Sequence, residues 1–260
     1  MLKSLPLLDK KVLVPRGKNQ AKPFVELVER YGGTPVEIPL IAFRPIAQNQ
    51  RLHDCLMALD TYDWIIFTSN VTVDTFFSFF DMAGSSLPKI AVIGKKTADV
   101  LQHRGLQVEF VPSSFVAESF VEEFLPYVNS GARVLLPKGN LAREYIASAL
   151  TEAGAAVDEV VIYETYMPED SRVKLTKMLA DHQLDILTFT SPSTVDHLMD
   201  VVREHGLEEQ MESCLIGCIG PVTEKKLQEY GLTVHASPEE YTVAEMIKSM
   251  ITYLEKGSAV

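Results

Sequence analysis

Short apolar runs alternate with amphipathic stretches along most of this 260-residue chain. The run at 63–67 is apolar and rich in β-forming residues, and it ends in Thr68, Ser69 and Asn70. Beyond it, apolar residues recur every three or four positions, and this change of period predicts a buried strand followed by a helix. The same pattern returns 122 positions later, at 185–192.

Two further pairs of segments repeat at nearly the same distance. The pattern at 11–17 returns at 133–139, and the pattern at 90–97 returns at 215–223. Three collinear pairs predict a tandem duplication of an α/β unit. Because strands and helices alternate with short connections, each unit should contain a parallel sheet covered by helices on both faces.

Two extended, β-branched segments differ from this alternation, at 35–43 and 157–167, and a proline lies close to the end of each. We interpret them as the connection between two domains. The chain would cross twice, so that one domain is continuous over about 43–162 and the other combines the N-terminal piece with the C-terminal third. Two such sheets would leave a cleft between them, and open parallel sheets bind ligands at the carboxyl ends of their strands.

The composition, 47% hydrophobic and 23% charged, is typical of a globular protein with a full core. The net charge of −11 argues against nucleic acid or an anionic membrane as a partner. The chain shows neither an apolar run of roughly 20 residues nor a secretory signal, and its three cysteines lie in apolar patterns. These features predict a cytoplasmic protein with reduced thiols. Metal-ligand spacing and nucleotide-binding motifs are absent, so neither a metal nor a cofactor is expected.

Seven blocks together resemble the uroporphyrinogen-III synthase family over essentially the whole chain. They lie at 12–16, 66–70, 92–97, 138–143, 161–165, 189–193 and 219–223. The resemblance implies two parallel-sheet, three-layer α/β domains joined by a two-stranded β linker, with a cleft between them. Domain 1 would be discontinuous and contain 1–38 and 168–260, domain 2 would contain 43–162, and the linker strands would be 39–42 and 163–167.

The activity that this resemblance implies is a cofactor-free cyclisation. The substrate of the family is hydroxymethylbilane, a linear polyanionic tetrapyrrole that loses water and closes with inversion of ring D to uroporphyrinogen III. The ring A hydroxyl departs, ring D attacks through its substituted carbon, and a spiro intermediate fragments and recloses. A protein can help by donating a proton to the leaving hydroxyl and by holding the flexible chain in a reactive conformation.

Tyr163 matches the tyrosine of the family's strand motif. The resemblance therefore makes it the candidate catalytic residue, as the proton donor or hydrogen-bond partner of the departing hydroxyl. The alternative is a half-buried strand tyrosine whose hydroxyl only finds a local partner.

The resemblance also implies substrate-binding residues at strand ends and helix starts. They are Arg16, Thr68, Ser69, Asn70, Gly94, Thr97, Lys138, Gly139, Arg143, Thr190, Ser191, Ser193, Gly220, Val222 and Thr223. Hydroxyls, free N–H groups at helix N-termini and fixed cations would bind the carboxylates of the substrate. Helix capping alone also explains the hydroxyl residues, and solvated surface explains many Lys and Arg. Lys138 stands where the family often has arginine, and Leu141 where glycine is common, so bidentate recognition is not expected at Lys138.

A second hypothesis is a non-catalytic module on the same scaffold that senses a tetrapyrrole or another anion. A fused DNA-binding or receiver segment would favour regulation, and the sequence offers none. A response-regulator-like protein would need an acidic cluster after its first strand, where Val14, Pro15 and Arg16 stand instead. We therefore expect a monomeric enzyme whose partner is hydroxymethylbilane.

Overall fold

A computed structural model describes residues 5–46, 49–81 and 86–257. Its strands are β1 (Lys11–Val14), β2 (Thr34–Glu37), β3 (Ala42–Pro45), β4 (Trp64–Phe67), β5 (Lys89–Val92), β6 (Arg133–Gly139), β7 (Ala156–Tyr166), β8 (Ile186–Phe189) and β9 (Leu215–Cys218). Its helices are α1 (Lys18–Arg30), α2 (Gln50–Met57), α3 (Asn70–Phe79), α4 (Lys95–His103), α5 (Ala117–Phe124), α6 (Tyr145–Glu152), α7 (Glu169–Ala180), α8 (Pro192–His205), α9 (Glu208–Glu212), α10 (Pro221–Glu229) and α11 (Val243–Gly257). Short 3₁₀ turns lie at Leu59–Thr61 and Leu125–Tyr127.

The chain divides into two compact units, each with its own sheet. Unit 1 contains Met1–Ala42 and Tyr166–Val260, and unit 2 contains Phe43–Thr165. The strand order of unit 1 is β2-β1-β8-β9, with parallel pairing. The order of unit 2 is β3-β7-β6-β4-β5, and β7, β6, β4 and β5 are parallel. The predicted α/β class with parallel sheets is confirmed, and the predicted cleft stays a prediction.

Alternate residues of the strands face opposite sides of each sheet. In β4, Ile65 and Phe67 pack with α2, α3 and α4, whereas Trp64 and Ile66 pack with α5 and α6. In unit 1, Leu13 of β1 packs with α7, α8 and α10, and its neighbours in the strand pack with α1 and α11. Because both faces are covered, the strands are continuous apolar runs in the sequence.

The segments that repeat in the sequence form corresponding strands of the two sheets. β8 corresponds to β4, β9 to β5, β1 to β6 and β2 to β7. Their hydrogen bonds correspond as well. Asp63 Oδ2 accepts from the N–H of Arg133 at 2.8 Å, and Asp185 Oδ2 accepts from the N–H of Lys11 at 2.7 Å. The duplication that these correspondences suggest stays a prediction.

The observed strands overlap the predicted linker strands 39–42 and 163–167 only in part, since β3 (Ala42–Pro45) shares residue 42 with the first, and β7 (Ala156–Tyr166) contains 163–166 but begins at residue 156. Pro39 lacks the N–H group that a ladder needs. Leu40 is fully buried in the core of unit 1, and its carbonyl oxygen lies 2.6 Å from Nδ1 of His197. Segment 39–41 therefore belongs to the packing of unit 1. The domain boundaries stay a prediction.

β3 and β7 form a ladder at the edge of the unit 2 sheet. The N–H of Ile46 donates to the carbonyl of Ile162 at 2.9 Å, and the side chain of Arg44 pairs with Glu164. The partners of successive residues run in opposite directions, so this edge is antiparallel. It places the end of β7, with Tyr163, beside Phe43.

Candidate functional site

The predicted site residues lie at the carboxyl ends of the parallel strands within each unit. In unit 2, Thr68, Ser69 and Asn70 follow β4, Gly94 and Thr97 follow β5, Lys138, Gly139 and Arg143 lie at and after the end of β6, and Tyr163 lies in β7. In unit 1, Arg16 follows β1, Thr190, Ser191 and Ser193 follow β8, and Gly220, Val222 and Thr223 follow β9. These edges also carry the N-termini of α3, α4, α8 and α10, whose free N–H groups favour anions.

Tyr163 is held by the packing of its aromatic ring. The residue is 9% exposed, and the ring meets Phe43 edge-on with centroids 5.8 Å apart. Gly139 allows this position, because a Cβ atom there would lie 2.5 Å from Tyr163 Cε2 and 2.8 Å from its Oη. No described residue is hydrogen-bonded to the Tyr163 hydroxyl. The ring is therefore fixed, while the O–H group lacks a partner among the described residues.

The predicted cations differ in their availability. Lys138 is 12% exposed, and its ammonium group is ion-paired with Glu159 of the neighbouring strand β7. Its charge is thus largely neutralised within the sheet. Arg143 is 69% exposed, and its Nη1 lies 3.0 Å from Oε1 of Glu118. Arg16 is half-buried, and no described carboxylate forms an ion pair with it.

Two of the predicted serines cap helices. Ser69 Oγ accepts from the N–H of Thr72 at 3.2 Å, and Ser191 Oγ accepts from the N–H of Thr194 at 3.4 Å in a reciprocal capping box. The Ser191 hydroxyl keeps its O–H group and one lone pair for a ligand, whereas the Ser69 hydroxyl makes a second hydrogen bond with Thr72 Oγ1 at 2.9 Å. Four half-buried side chains have no hydrogen-bond partner among the described residues, namely Thr68, Asn70, Thr190 and Ser193.

The starts of α4 and α10 differ from the prediction in one respect. Gly94 and Gly220 are the N-cap residues, but Thr97 and Thr223 are only 4% and 3% exposed. Because these threonines lie on the buried faces of their helices, a ligand here would meet backbone N–H groups instead of the two hydroxyls. Val222, in contrast, is 71% exposed.

A pocket of about 360 Å³ at the carboxyl edge of unit 2 was not predicted from the sequence. Thr68 and Arg143 line it, together with Phe115, Glu118 and Tyr145. Phe115 precedes α5 and Glu118 lies in the first turn of that helix, and both residues lie outside all seven sequence blocks.

A sequence signal for this segment exists in the repeat. Phe115 follows Pro112 by three positions, and Tyr241 follows Pro238 by three positions, at the offset of the β5 and β9 blocks. Phe115 is 56% exposed and Tyr241 62% exposed. Tyr241 covers the backbone of Gly220, where an added Cβ would lie 2.8 Å from its Cδ1. Each unit thus has an exposed aromatic residue before its next helix.

Two classes of site are not found in the described part of the chain. None of its helices combines the length and apolar character of a membrane span. No three His, Cys, Asp or Glu side chains among the same residues are grouped as metal ligands.

The fold and these strand ends define a two-unit α/β protein with hydroxyl groups, a phenol and helix N-termini at the positions where such sheets bind anionic small molecules. The family model described as uroporphyrinogen-III synthase HemD matches residues 22–248. The chain therefore belongs to the uroporphyrinogen-III synthase family.

Similar proteins bear the same family name. A uroporphyrinogen-III synthase from Synechococcus elongatus is 31% identical over 246 residues, covering 92% of this chain and 93% of the relative. One from Chlorobaculum parvum is 30% identical over 254 residues, covering 95% of this chain and 100% of the relative. A crystal structure of a mutant uroporphyrinogen III synthase from Thermus thermophilus has the same fold, with a TM-score of 0.65, 21% identity and coverage of 95% of this chain and 99% of that one. The predicted family and enzyme class are confirmed, and the comparisons do not support the regulatory module.

Proposed function

We propose that this chain cyclises hydroxymethylbilane to uroporphyrinogen III, with loss of water and inversion of ring D. The observation that carries the proposal is the family match over residues 22–248. The chain needs no cofactor for this reaction, since proton transfer and positioning suffice. We further propose that it acts as a monomer in the cytoplasm.

Tyr163 is the proposed catalytic residue. Its ring is fixed between Phe43 and Gly139, so the hydroxyl occupies one position and can donate a hydrogen bond to the departing hydroxyl of ring A. Such a donor assists departure of the hydroxyl as water, because the proton reduces the charge that develops on the leaving oxygen.

Helix N-termini and hydroxyl groups are the proposed binding groups for the carboxylates. Ser69 and Ser191 mark the starts of α3 and α8, and Gly94 and Gly220 mark those of α4 and α10. Each start offers N–H groups without an intrahelical acceptor. Because Lys138 is neutralised by Glu159, we assign more of the carboxylate binding to N–H groups than to lysine.

Positioning is the larger part of the proposed catalysis. The substrate closes unaided to the isomer without inversion, so the protein must direct ring D to react through its substituted carbon. Holding reacting groups in place can supply several kcal/mol of the barrier, on the order of 7–11 in well-oriented systems.

The test is the isomer ratio formed from freshly generated hydroxymethylbilane, measured by chromatography of the oxidised porphyrins. We expect isomer III to predominate with the native protein and isomer I with heat-denatured protein. Tyr163→Phe should lower kcat by about tenfold and keep isomer III in excess, less than the 10²–10⁴-fold loss of an indispensable acid. Isomer I alone from a folded protein would refute the proposed function.

A further inference from the structure

The pocket at the carboxyl edge of unit 2 exposes several apolar side chains to solvent. Phe115, Val116 and Tyr145 line it and are 56%, 50% and 43% exposed. Large apolar side chains that lie together on a concave surface commonly mark a binding site. Their exposure to water costs free energy, which is recovered when a ligand covers them. The pocket can therefore take an apolar, flat group.

One wall of the same pocket carries a charge pair. Arg143 and Glu118 are 69% and 54% exposed, with 3.0 Å between Nη1 and Oε1. The backbone of Glu118 itself, and then Arg143, lower the pKa of this carboxyl group, which keeps it ionised at neutral pH. An ion pair so exposed to water is weak, so another carboxylate can replace Glu118 beside the guanidinium group.

The size of the pocket limits its occupant. A volume of about 360 Å³ is near the lower end of ligand pockets, which range over roughly 300–1,000 Å³. It has room for one substituted five-membered ring and not for four. Thr68 lies on the wall of the pocket at the end of β4, with a hydroxyl group that can bond to a carboxylate oxygen.

We propose that this pocket binds one pyrrole ring of the tetrapyrrole against Phe115 and Tyr145 and one of its carboxylates at Arg143, and that Glu118 is the competing anion that the carboxylate displaces. This inference rests on the proposed function and adds a ring subsite to it. Tyr241, the counterpart of Phe115 in unit 1, is also an exposed aromatic residue at a carboxyl edge.

The sharpest test uses the two members of the ion pair, because the proposal assigns them opposite effects. Glu118→Gln should lower KM by about two- to fivefold, the range of an exposed charge pair, since it removes the competitor. Arg143→Gln should raise KM by about fivefold, and kcat should change less than twofold in both. Phe115→Ser should raise KM in the same way.

The matched control is Arg104→Gln. Arg104 forms a comparable ion pair with Asp74 at 2.8 Å in the same unit but does not line the pocket. Its removal changes the net charge as Arg143→Gln does, so an unchanged KM separates the local contact from general attraction. Circular dichroism and thermal unfolding establish that each variant is folded. If Glu118→Gln or Arg143→Gln does not fold, Glu118→Asn or Arg143→Lys is measured in its place.

Direct binding of uroporphyrin I, a carboxylated tetrapyrrole, separates this inference from the proposed function. Equilibrium dialysis should give a lower Kd for Glu118→Gln and a higher Kd for Arg143→Gln, and both differences should shrink at high salt. If the native protein makes no isomer III but the two variants show these Kd differences, the proposed reaction is refuted and the subsite is supported. If Glu118→Gln leaves both KM and Kd unchanged or raised, the subsite is overturned, whatever the isomer ratio.

Discussion

The contact between Gly139 and Tyr163 shows how a single missing methyl group can position a functional group. A Cβ at Gly139 would overlap the phenol ring, with 2.5 Å to Cε2. The ring can therefore rest on the end of β6 only because residue 139 is glycine. The backbone at this residue is not in the left-handed region, so space, and not φ, is the reason for glycine.

Gly139→Ala should displace the Tyr163 ring. We expect a loss of about 1–3 kcal/mol in the free energy of unfolding, as for other overpacked sites, and a lower kcat with most of the binding retained. Chemical denaturation and steady-state kinetics measure the two effects. Gly17→Ala adds a methyl group that would meet no atom of the described residues within 4 Å, and it should keep native kcat. Equal kcat in both variants would contradict the positioning role of Gly139.

Buried thiol and phenol groups predict a loss of stability at high pH. Burial raises the pKa of the Cys214 thiol from 9.0 to about 11. Burial and hydrogen bonds with Cys55 and Asp158 raise the pKa of Tyr62 as well. In the unfolded chain these groups lose their protons at lower pH, so the unfolded state binds fewer protons and stability falls as pH rises.

The contribution of the Cys214 thiol to the free energy of unfolding should therefore be constant below pH 9. It should fall by up to about 2 kcal/mol by pH 11. Urea denaturation at several pH values measures the slope. Cys214→Ala should be less stable at pH 7, because its buried side chain is truncated, but should show a shallower decline above pH 9. The same slope in the variant and the native protein would exclude the thiol as its source.

Helix starts combine a structural and a proposed binding role. The α8 helix has Ser191 as N-cap, Pro192 as its first residue and Thr194 completing the capping box. Pro192 fits here because the first helical N–H has no intrahelical acceptor. The cap fixes the backbone N–H groups that the proposed function uses for carboxylates.

Two substitutions of Ser191 can separate these roles. Ser191→Ala should cost about 1 kcal/mol of stability, since it removes the cap. Ser191→Asp keeps a capping oxygen and should retain stability, yet its negative charge should raise KM for a polyanionic substrate. Thermal unfolding and kinetics of both variants provide the test. A native KM for Ser191→Asp would show that no carboxylate binds at this helix start.

The elements that could be predicted are those determined by local sequence. The β4 and β8 strands and their helix starts follow from an apolar run that ends in Thr-Ser, and both serines are caps. The start of β3 could not be predicted, because it depends on the burial of Leu40 in the core of unit 1. The inward direction of Thr97 could have been inferred only from the helix face that packs on the sheet.

The ion pairs of the candidate site depend on tertiary structure, so they could not be predicted from the sequence. Lys138 and Arg143 are recognisable as strand-end cations, but their partners Glu159 and Glu118 lie on β7 and at the start of α5. No local pattern connects these positions. The pocket that contains Phe115 was not predicted for the same reason, although the corresponding aromatic residue Tyr241 in the second repeat was a signal for it.

Unit 2 should fold as an independent domain. Its two hydrophobic clusters consist of residues from its own continuous segment. A fragment of residues 43–165 is large enough for a domain with a full core. We expect native-like circular dichroism and one cooperative transition in urea.

The control fragment is 166–260, which contains β8 and β9 but lacks β1, the strand between β2 and β8. It should remain largely unfolded. A folded 166–260 fragment together with an unfolded 43–165 fragment would contradict the assignment of cores to units.

The pairing of β1 with β8 also sets the order of events during synthesis. Val12 pairs with Ile186, across most of the chain. Unit 2 leaves the ribosome before β8 and β9 do, so unit 2 can fold first, while the edge of β1 that pairs with β8 stays unpaired. Such an edge is a template for aggregation. We therefore expect the pairing of the N-terminal strands with the last third of the chain to be the late step of folding, and the step most exposed to aggregation.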